Sequence, residues 1–163
     1  MYLVLASKSP RRKEILANAG YNFKVIVSSV DENVEETSPI EKVAAIARKK
    51  GLDVYSKCTQ DAVVISADTI VCINDEILGK PKDIDDARKM ISMLQGKTHQ
   101  VYTAVFIKSS NDEYQFVEKT DVHVANMTSD QIENYIKTTE PYDKAGGYGI
   151  QGIFGQYITG ING

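Results

Sequence analysis

The run AVVISADTIVCI, residues 62–73, is almost continuously apolar and rich in β-branched side chains. Such a run is typical of a strand that is buried on both faces of a sheet. Asp68 interrupts it near its middle. A carboxylate there is costly unless it is paired, hydrogen-bonded or bound to a metal ion. Asp68 is therefore a candidate functional residue, against the alternative that it caps a turn or pairs with a lysine.

Strand and helix signals alternate on both sides of this run. Further strands are predicted over residues 2–6, 23–27, 76–78, 101–108, 114–124 and 153–158. Helices are predicted from Pro10 to about Asn18, from Pro39 to Gly51, from Asp83 to Gly96, and after the capping box that begins at Thr128. This order predicts an α/β fold, a twisted mixed β-sheet flanked by helices, with a site near strand ends.

The composition describes an ordinary soluble domain. The chain has 163 residues, 42% hydrophobic and 25% charged, which predicts one domain. Its 19 Lys and Arg against 22 Asp and Glu leave a net charge of -3, which argues against nucleic acid as a partner. No apolar run is long enough to span a membrane, and the first residues lack the features of a secretory signal, so we expect no membrane partner and a cytoplasmic location.

A basic segment opens the first predicted helix. Four cations lie in the stretch SKSPRRK, residues 7–13. A helix N-terminus already carries partial positive charge, so these cations repel one another unless an anion binds among them. A phosphate would suit the site, because Ser hydroxyls, backbone N–H groups and Arg forks all donate to it. The alternative is a solvated basic helix start.

Three more charged positions are weaker candidates. Glu32 follows the second strand, where a carboxylate is a suitable ligand for Mg²⁺, although charge runs are usually only solvated. Lys50 is well explained by the dipole at a helix C-terminus, and its spacing alone favours that structural role. Lys80 lies between Gly79 and Pro81, which suits a positioned phosphate contact and an ordinary turn lysine equally well.

The glycine loop GYGIQG, residues 147–152, matches the pattern GxGxxG. It is not a dinucleotide fingerprint, because no strand precedes it and no helix signal follows it. Gln151 in this loop offers a donor and an acceptor that can recognise a base edge. The alternative is a hydrophilic side chain in a surface loop.

Taken together, these segments resemble the Maf family of nucleoside triphosphate pyrophosphatases. The strings that carry the resemblance are LASKSPRR (5–12), VDE (30–32), ADT (67–69), LGKP (78–81), HQVYT (99–103) and DKAGGYGIQG (143–152), in the family's order. The resemblance implies one domain over residues 1–163, with two lobes around a central cleft as in inosine triphosphate pyrophosphatases. It also implies hydrolysis of a nucleoside triphosphate to the monophosphate and pyrophosphate with Mg²⁺ or Mn²⁺.

The resemblance assigns roles to single residues. Asp68 falls where the family has its proton acceptor. The specificity residues of the branch that acts on dTTP and UTP fall at Arg11, Thr69 and Gln151. We expect the triphosphate to be held by Ser7, Ser9, Arg12, Lys50 and Lys80, and the metal ion by Glu32 and Asp68. Whether Asp68 contacts metal, water or both stays open at this point.

A competing function is a nucleotide-binding regulator of cell division, a septum formation inhibitor, without significant turnover. Both functions use the same basic residues, and they differ in whether Asp68 is needed. The family also continues past the final glycine turn with a strand and a helix, which the sequence ending at Gly163 is expected to lack. We therefore expect an exposed strand edge that either pairs with a second copy as a homodimer or leaves the protein less stable.

Overall fold

Seven strands and four α-helices form the regular structure, and the computed structural model describes every residue from Met1 to Gly163. The strands are β1 Tyr2–Leu5, β2 Phe23–Val25, β3 Ala62–Ile73, β4 Glu76–Leu78, β5 Thr98–Lys108, β6 Glu113–Val124 and β7 Ile158–Asn162. The α-helices are α1 Pro10–Asn18, α2 Pro39–Tyr55, α3 Ile84–Leu94 and α4 Ser129–Ile136. Short 3₁₀ helices cover Glu140–Asp143, Ala145–Gly147 and Ile153–Tyr157. No helix combines the length and the apolar character that crossing a membrane requires.

The strands form one mixed sheet in the order β2-β1-β3-β5-β6-β7, with β4 paired to β3. Strand β1 is parallel to both neighbours, with Leu5 opposite Val25 in β2 and Ile65 in β3. Strand β4 is antiparallel to β3, and β7 is antiparallel to β6. The prediction of a mixed α/β sheet flanked by helices is therefore confirmed.

The chain divides into two compact units. The first contains residues 1–68 and 103–117, and the second contains residues 69–102 and 118–163. Strands β3, β5 and β6 each contribute residues to both units. Asp68 is the last residue of the first unit on β3, and Thr69 is the first residue of the second.

The first unit holds helices α1 and α2. Ser9 caps α1, and no residue of that helix is buried, so its charged side chains are available for other contacts. A small core of Val4, Ala6, Val54, Ala62 and Val64 packs α2 against β1 and β3.

Helix α2 does not end at Gly51 as predicted, but continues to Tyr55. A Cβ atom at position 51 would lie 2.4 Å from Phe106 Cδ1 and 2.6 Å from Ser66 Oγ. The glycine therefore allows close packing within the helix and does not terminate it, which is a tertiary requirement that the local sequence pattern does not reveal.

The second unit has the larger apolar core, which joins α3 and α4 to the sheet and includes Ile73, Ile91, Leu94, Tyr135 and Phe154. The capping box predicted at Thr128 is confirmed, because the Thr128 and Gln131 side chains each accept from the other's backbone N–H.

The predicted strand at 153–158 is wrong. Residues Ile153–Tyr157 form a 3₁₀ helix, and the strand β7 begins only at Ile158. The fully buried Phe154 packs on Tyr148 and Tyr157, and the Glu140 carboxylate accepts the backbone N–H groups of Ile153 and Phe154. These two backbone N–H groups therefore donate to a side chain and not to a neighbouring strand. The strand comes later than predicted, and Asn162 lies in it opposite Asp121.

Candidate active site

The basic segment at the start of α1 is anchored by its own serines. Ser7 Oγ accepts hydrogen bonds from the backbone N–H of Ser9, at 3.2 Å, and from Arg12 Nη1, at 3.4 Å. Arg12 Nη1 also donates to the carbonyl oxygen of Ala67, at 2.8 Å. The Arg12 guanidinium is therefore fixed beside the residue that precedes Asp68 on β3. Arg11, the preceding residue on the helix, is exposed.

Lys50 forms ion pairs with both of the carboxylates predicted to bind a metal ion. Its ammonium lies 2.8 Å from Asp68 Oδ1 and 2.8 Å from Glu32 Oε1. The Lys50 and Asp68 side chains are only 16% and 13% exposed, whereas Glu32 is 62% exposed. Helix α2, strand β3 and the loop after β2 thus each contribute one charged group to the same place.

The electrostatics of this group favour proton transfer at Asp68. Burial raises the pKa of the Asp68 carboxyl above its ordinary value, and the nearby Glu32 adds to the rise, although Lys50 opposes it. Burial also lowers the pKa of the Arg12 guanidinium, against the attraction of Asp68 and Glu32. A carboxyl whose pKa is raised is, once ionised, a stronger base than an ordinary surface aspartate.

The donor set is compatible with a hard divalent cation. Asp68 and Glu32 supply two carboxylates that converge on one positive charge, and no larger cluster of metal-ligating side chains exists in the chain. Mg²⁺ is usually bound through one or two carboxylates together with substrate phosphates, and it does not need a cage of protein ligands. The residues present therefore fit Mg²⁺ or Mn²⁺.

In the second unit, Lys80 is exposed two residues after β4, in a segment without regular secondary structure. The carbonyl of Gly79 accepts the N–H of Gly146 at 2.9 Å, which ties this segment to the residue that precedes the glycine loop. The pKa of Asp143 is lowered, first by its hydrogen bond from Lys144 and also by the charge of Lys80. Lys80 thus lies in a locally charged environment close to the glycine loop.

Gln151 is exposed in a turn of that loop. The N–H of Gly152 donates to the carbonyl of Gly149 at 3.0 Å, and the N–H of Gly155 donates to that of Gly152 at 3.1 Å. At the start of the loop, Tyr148 Oη is hydrogen-bonded to Nε2 of the fully buried His99, at 2.6 Å. Gln151 is therefore presented by a closed and anchored turn.

The structure brings together six of the predicted residues within the first unit, namely Ser7, Ser9, Arg12, Glu32, Lys50 and Asp68. Thr69, Lys80 and Gln151 belong to the second unit. Sequence reasoning missed the Ala67 carbonyl that holds Arg12 and the Glu140 carboxylate under the glycine loop, because neither contact has a local sequence signal. A surface depression of about 540 Å³ lies along α2 beside Ala44 and Arg48 and includes none of the predicted residues.

The fold belongs to a known class of α/β proteins. A solved structure of the Staphylococcus aureus Ham1 protein superposes with a TM-score of 0.56 over 77% of this chain and 73% of that chain. The two sequences are 16% identical, so this likeness concerns the fold alone.

The chain belongs to the family of Maf-like proteins, whose model matches residues 2–163. A Clostridium botulinum protein is 47% identical to this chain over 167 residues, which cover 100% of this chain and 89% of that protein. A Lachnoclostridium phytofermentans protein is 43% identical over 99% of this chain and 84% of its own length, and one from Bacillus pumilus is 45% identical over 99% and 85%. All three relatives are named dTTP/UTP pyrophosphatase.

Proposed function

We propose that this protein hydrolyses nucleoside triphosphates, above all dTTP and UTP, to the monophosphate and pyrophosphate. The observation that carries the proposal is the buried Asp68 carboxylate, hydrogen-bonded to Lys50 beside the anchored Arg12. The activity named for the relatives agrees with it. A protein that only bound nucleotide would gain nothing from a buried carboxylate facing a polyanion, whereas hydrolysis needs a group that takes a proton from water.

The basic side chains hold the triphosphate. A triphosphate brings about four negative charges, which a protein of net charge -3 must offset locally. Arg12, fixed by Ser7 and the Ala67 carbonyl, supplies a positive charge for the phosphate oxygens. Lys50 and Lys80 add point charges, and the hydroxyls of Ser7 and Ser9 donate further hydrogen bonds.

We assign the proton-accepting role to Asp68 and the binding of Mg²⁺ or Mn²⁺ to Glu32 and Asp68 together. The cation, when bound, neutralises charge on the phosphates and on the leaving pyrophosphate. Asp68 orients a water molecule and accepts its proton as the water attacks the α-phosphorus. Since a carboxylate oxygen bound to a cation is not free to accept a proton, the two roles use different oxygens or different stages. Lys50 neutralises the two carboxylates until the substrate and the cation bind.

We assign the choice of base to Gln151, with Arg11 and Thr69 as the further specificity residues. The Gln151 amide can pair with the donor–acceptor edge of a pyrimidine, and its exposed position in a closed turn keeps it available. Gln151→Ala should therefore reduce the preference for UTP over ATP about tenfold or more and change the affinity for pyrophosphate less than twofold. Gln60→Ala, in an exposed turn elsewhere, is the matched control.

The activity test uses a panel of nucleoside triphosphates with Mg²⁺, Mn²⁺ or a chelator, and monophosphate and pyrophosphate are measured separately. We expect equal amounts of the two products, fastest with dTTP and UTP, and no turnover with the chelator. Release of orthophosphate, or equal kcat/KM for dTTP and ATP, would contradict the proposal. Tight binding without turnover would favour the regulator of cell division.

We further propose a cytosolic location, where nucleoside triphosphates are abundant and where the free thiols of Cys58 and Cys72 would remain reduced. We also propose association into a homodimer through β7. This strand is the last in the sheet order, and its Ile161 is 59% exposed, so its edge can pair with a second copy. Light scattering that finds a monomer at all concentrations would contradict the dimer.

A further inference from the structure

The 3₁₀ helix Ile153–Tyr157, which begins two residues after Gln151, has no side-chain cap from its own N-cap residue. Its N-cap residue is Gly152, which has no side chain to accept the first backbone N–H groups. The carboxylate of Glu140 does so instead. Glu140 Oε2 accepts the N–H of Ile153 at 2.6 Å, and Oε1 accepts that of Phe154 at 3.2 Å. A distant side chain thus fixes the backbone next to Gln151.

The glycine at position 152 is required by this carboxylate. A Cβ atom there would lie 2.3 Å from Glu140 Oε2 and 2.5 Å from Cδ. The backbone of Gly152 itself is extended, with φ −103°, and any residue can adopt it. A side chain at position 152 would therefore collide first with the Glu140 carboxylate.

Tyr135 orients the same carboxylate from the apolar core. Its hydroxyl lies 3.1 Å from Glu140 Oε1 and 2.9 Å from the carbonyl oxygen of Gly147, and it donates to both. Burial raises the pKa of the Tyr135 hydroxyl, so it remains a donor at neutral pH. Tyr135 thereby links the start of the glycine loop, at Gly147, to the Glu140 carboxylate that holds its end.

We propose that Glu140 is a positioning residue that determines base specificity by holding Gln151 in place. Its carboxylate fixes the backbone at Ile153 and Phe154 and determines the path of the turn Gly149–Gly152. The inference rests on the proposed role of Gln151 in recognising the base. Glu140 does not contact the nucleotide in this account, so its loss changes discrimination between bases more than the binding of phosphates.

The test compares Glu140→Ala, Glu140→Gln, Gly152→Ala and the double variant Glu140→Ala/Gly152→Ala. We expect Glu140→Ala to reduce the ratio of kcat/KM for UTP to that for ATP about tenfold, with the Kd for inorganic pyrophosphate within twofold of wild type. Glu140→Gln keeps one acceptor and should retain an intermediate ratio. Gly152→Ala should resemble Glu140→Ala, because the added methyl group pushes the carboxylate away.

The double variant distinguishes a positioning role of Glu140 from a general disturbance of the loop structure. Once Glu140 is alanine, the methyl group at position 152 has no carboxylate to displace, so it should change the ratio less than twofold further. Hydrogen exchange at the amides of Ile153 and Phe154 should accelerate at least tenfold in Glu140→Ala. Glu133→Gln, which removes another carboxylate of the same unit, paired with Arg88, is the matched control and should leave the ratio unchanged.

A ratio within twofold of wild type in both Glu140→Ala and Gly152→Ala overturns the inference, and so do fully additive effects in the double variant. Gln151→Ala, measured in parallel, distinguishes failure of the inference about Glu140 from failure of the role assigned to Gln151. If Gln151→Ala loses discrimination and the Glu140 variants do not, only the inference fails. If none of them does, the assignment of Gln151 under the proposed function fails as well.

Discussion

The ammonium of Lys50 lies 2.8 Å from Asp68 Oδ1, and both side chains are largely buried. The contact has two opposite effects at Asp68. Burial raises the pKa of the carboxyl, and the positive charge of Lys50 moderates that rise. Lys50 therefore helps to set the pH range in which Asp68 is ionised and able to accept a proton.

Lys50→Met should move the acid limb of the pH–kcat profile to higher pH. Without the lysine, the pKa of Asp68 rises further, so a higher pH is needed to ionise it. Because Lys50 also holds phosphate in our proposal, kcat should fall about tenfold or more as well. Steady-state rates from pH 5 to 9 measure both effects.

Lys49→Met is the matched control, because Lys49 Nζ donates to the carbonyl of Asn33 and does not contact Asp68. The acid limb of the pH–kcat profile of Lys49→Met should coincide with that of wild type. An unshifted limb in Lys50→Met would contradict the assignment of Asp68 as the titrating base.

Asp68 should also make folding less favourable as the pH rises. Its pKa in the folded chain lies above the ordinary 3.8, so between those two values the folded chain holds a proton that the unfolded chain has lost. The free energy of unfolding falls as the pH rises between those two values. At higher pH the loss of unfolding free energy is complete and stays constant. Asp68→Asn lacks this component, so its stability relative to wild type should increase from pH 4 towards neutrality in urea denaturation. A difference that decreases with pH would contradict the burial argument.

His99 should act in the opposite direction. Burial lowers the pKa of the His99 imidazole from 6.5 to about 4, and one of its ring nitrogens, Nδ1, has no hydrogen-bond partner. Below pH 6.5 the unfolded chain binds a proton that the folded chain does not, so stability is lost as the pH falls towards 4. The slope approaches about 1.4 kcal/mol per pH unit.

The measurement for His99 is the difference in unfolding free energy between wild type and His99→Phe, from pH 4 to 8. His99→Phe removes the titrating group and leaves Tyr148 without its partner, so it should be less stable than wild type at pH 7. That deficit should shrink as the pH falls below 6.5. A deficit that is constant over the whole range would show that His99 does not titrate as described.

Gly51→Ala should destabilise the protein although it lies inside a helix. Alanine favours the helix by about 1 kcal/mol over glycine. The added methyl group would lie 2.4 Å from Phe106 Cδ1, however, and overpacking of a core costs about 1–3 kcal/mol. Thermal melting should show a lower Tm, whereas Gly79→Ala, with no atom within 4 Å of the added Cβ, should leave it nearly unchanged. A rise in Tm for Gly51→Ala would contradict the packing argument.

The sequence predicted those features that local patterns encode. The apolar run around Asp68 predicted β3, and the cap at Thr128 predicted the start of α4. The prediction that the helix ends at Gly51 is wrong, because the role of Gly51 depends on Phe106, which is distant in the chain. The prediction of a strand at 153–158 is wrong for a similar reason, since Glu140 supplies the cap of the 3₁₀ helix Ile153–Tyr157 from outside the segment.

In the candidate site too, the residues that could be predicted are those with a local sequence signal. Asp68 could be identified because a carboxylate inside an apolar strand contradicts the pattern around it. Lys50 and Glu32 are weak candidates by themselves, and only the folded chain places the Glu32 and Asp68 carboxylates each 2.8 Å from the Lys50 ammonium. Residues that act through the backbone of another segment, as Glu140 does at Ile153, leave no such signal in the sequence.

Single-turnover hydrolysis of UTP by Asp68→Asn, with nucleotide affinity measured on the same preparation, tests the role of Asp68 most directly. The amide keeps the shape of the side chain but can neither accept the proton nor supply the charge. We predict that formation of monophosphate and pyrophosphate is abolished while the Kd for UTP stays within about tenfold of wild type, or roughly 1.4 kcal/mol. A folded Asp68→Asn protein that retains more than a tenth of the wild-type rate would contradict the role assigned to Asp68.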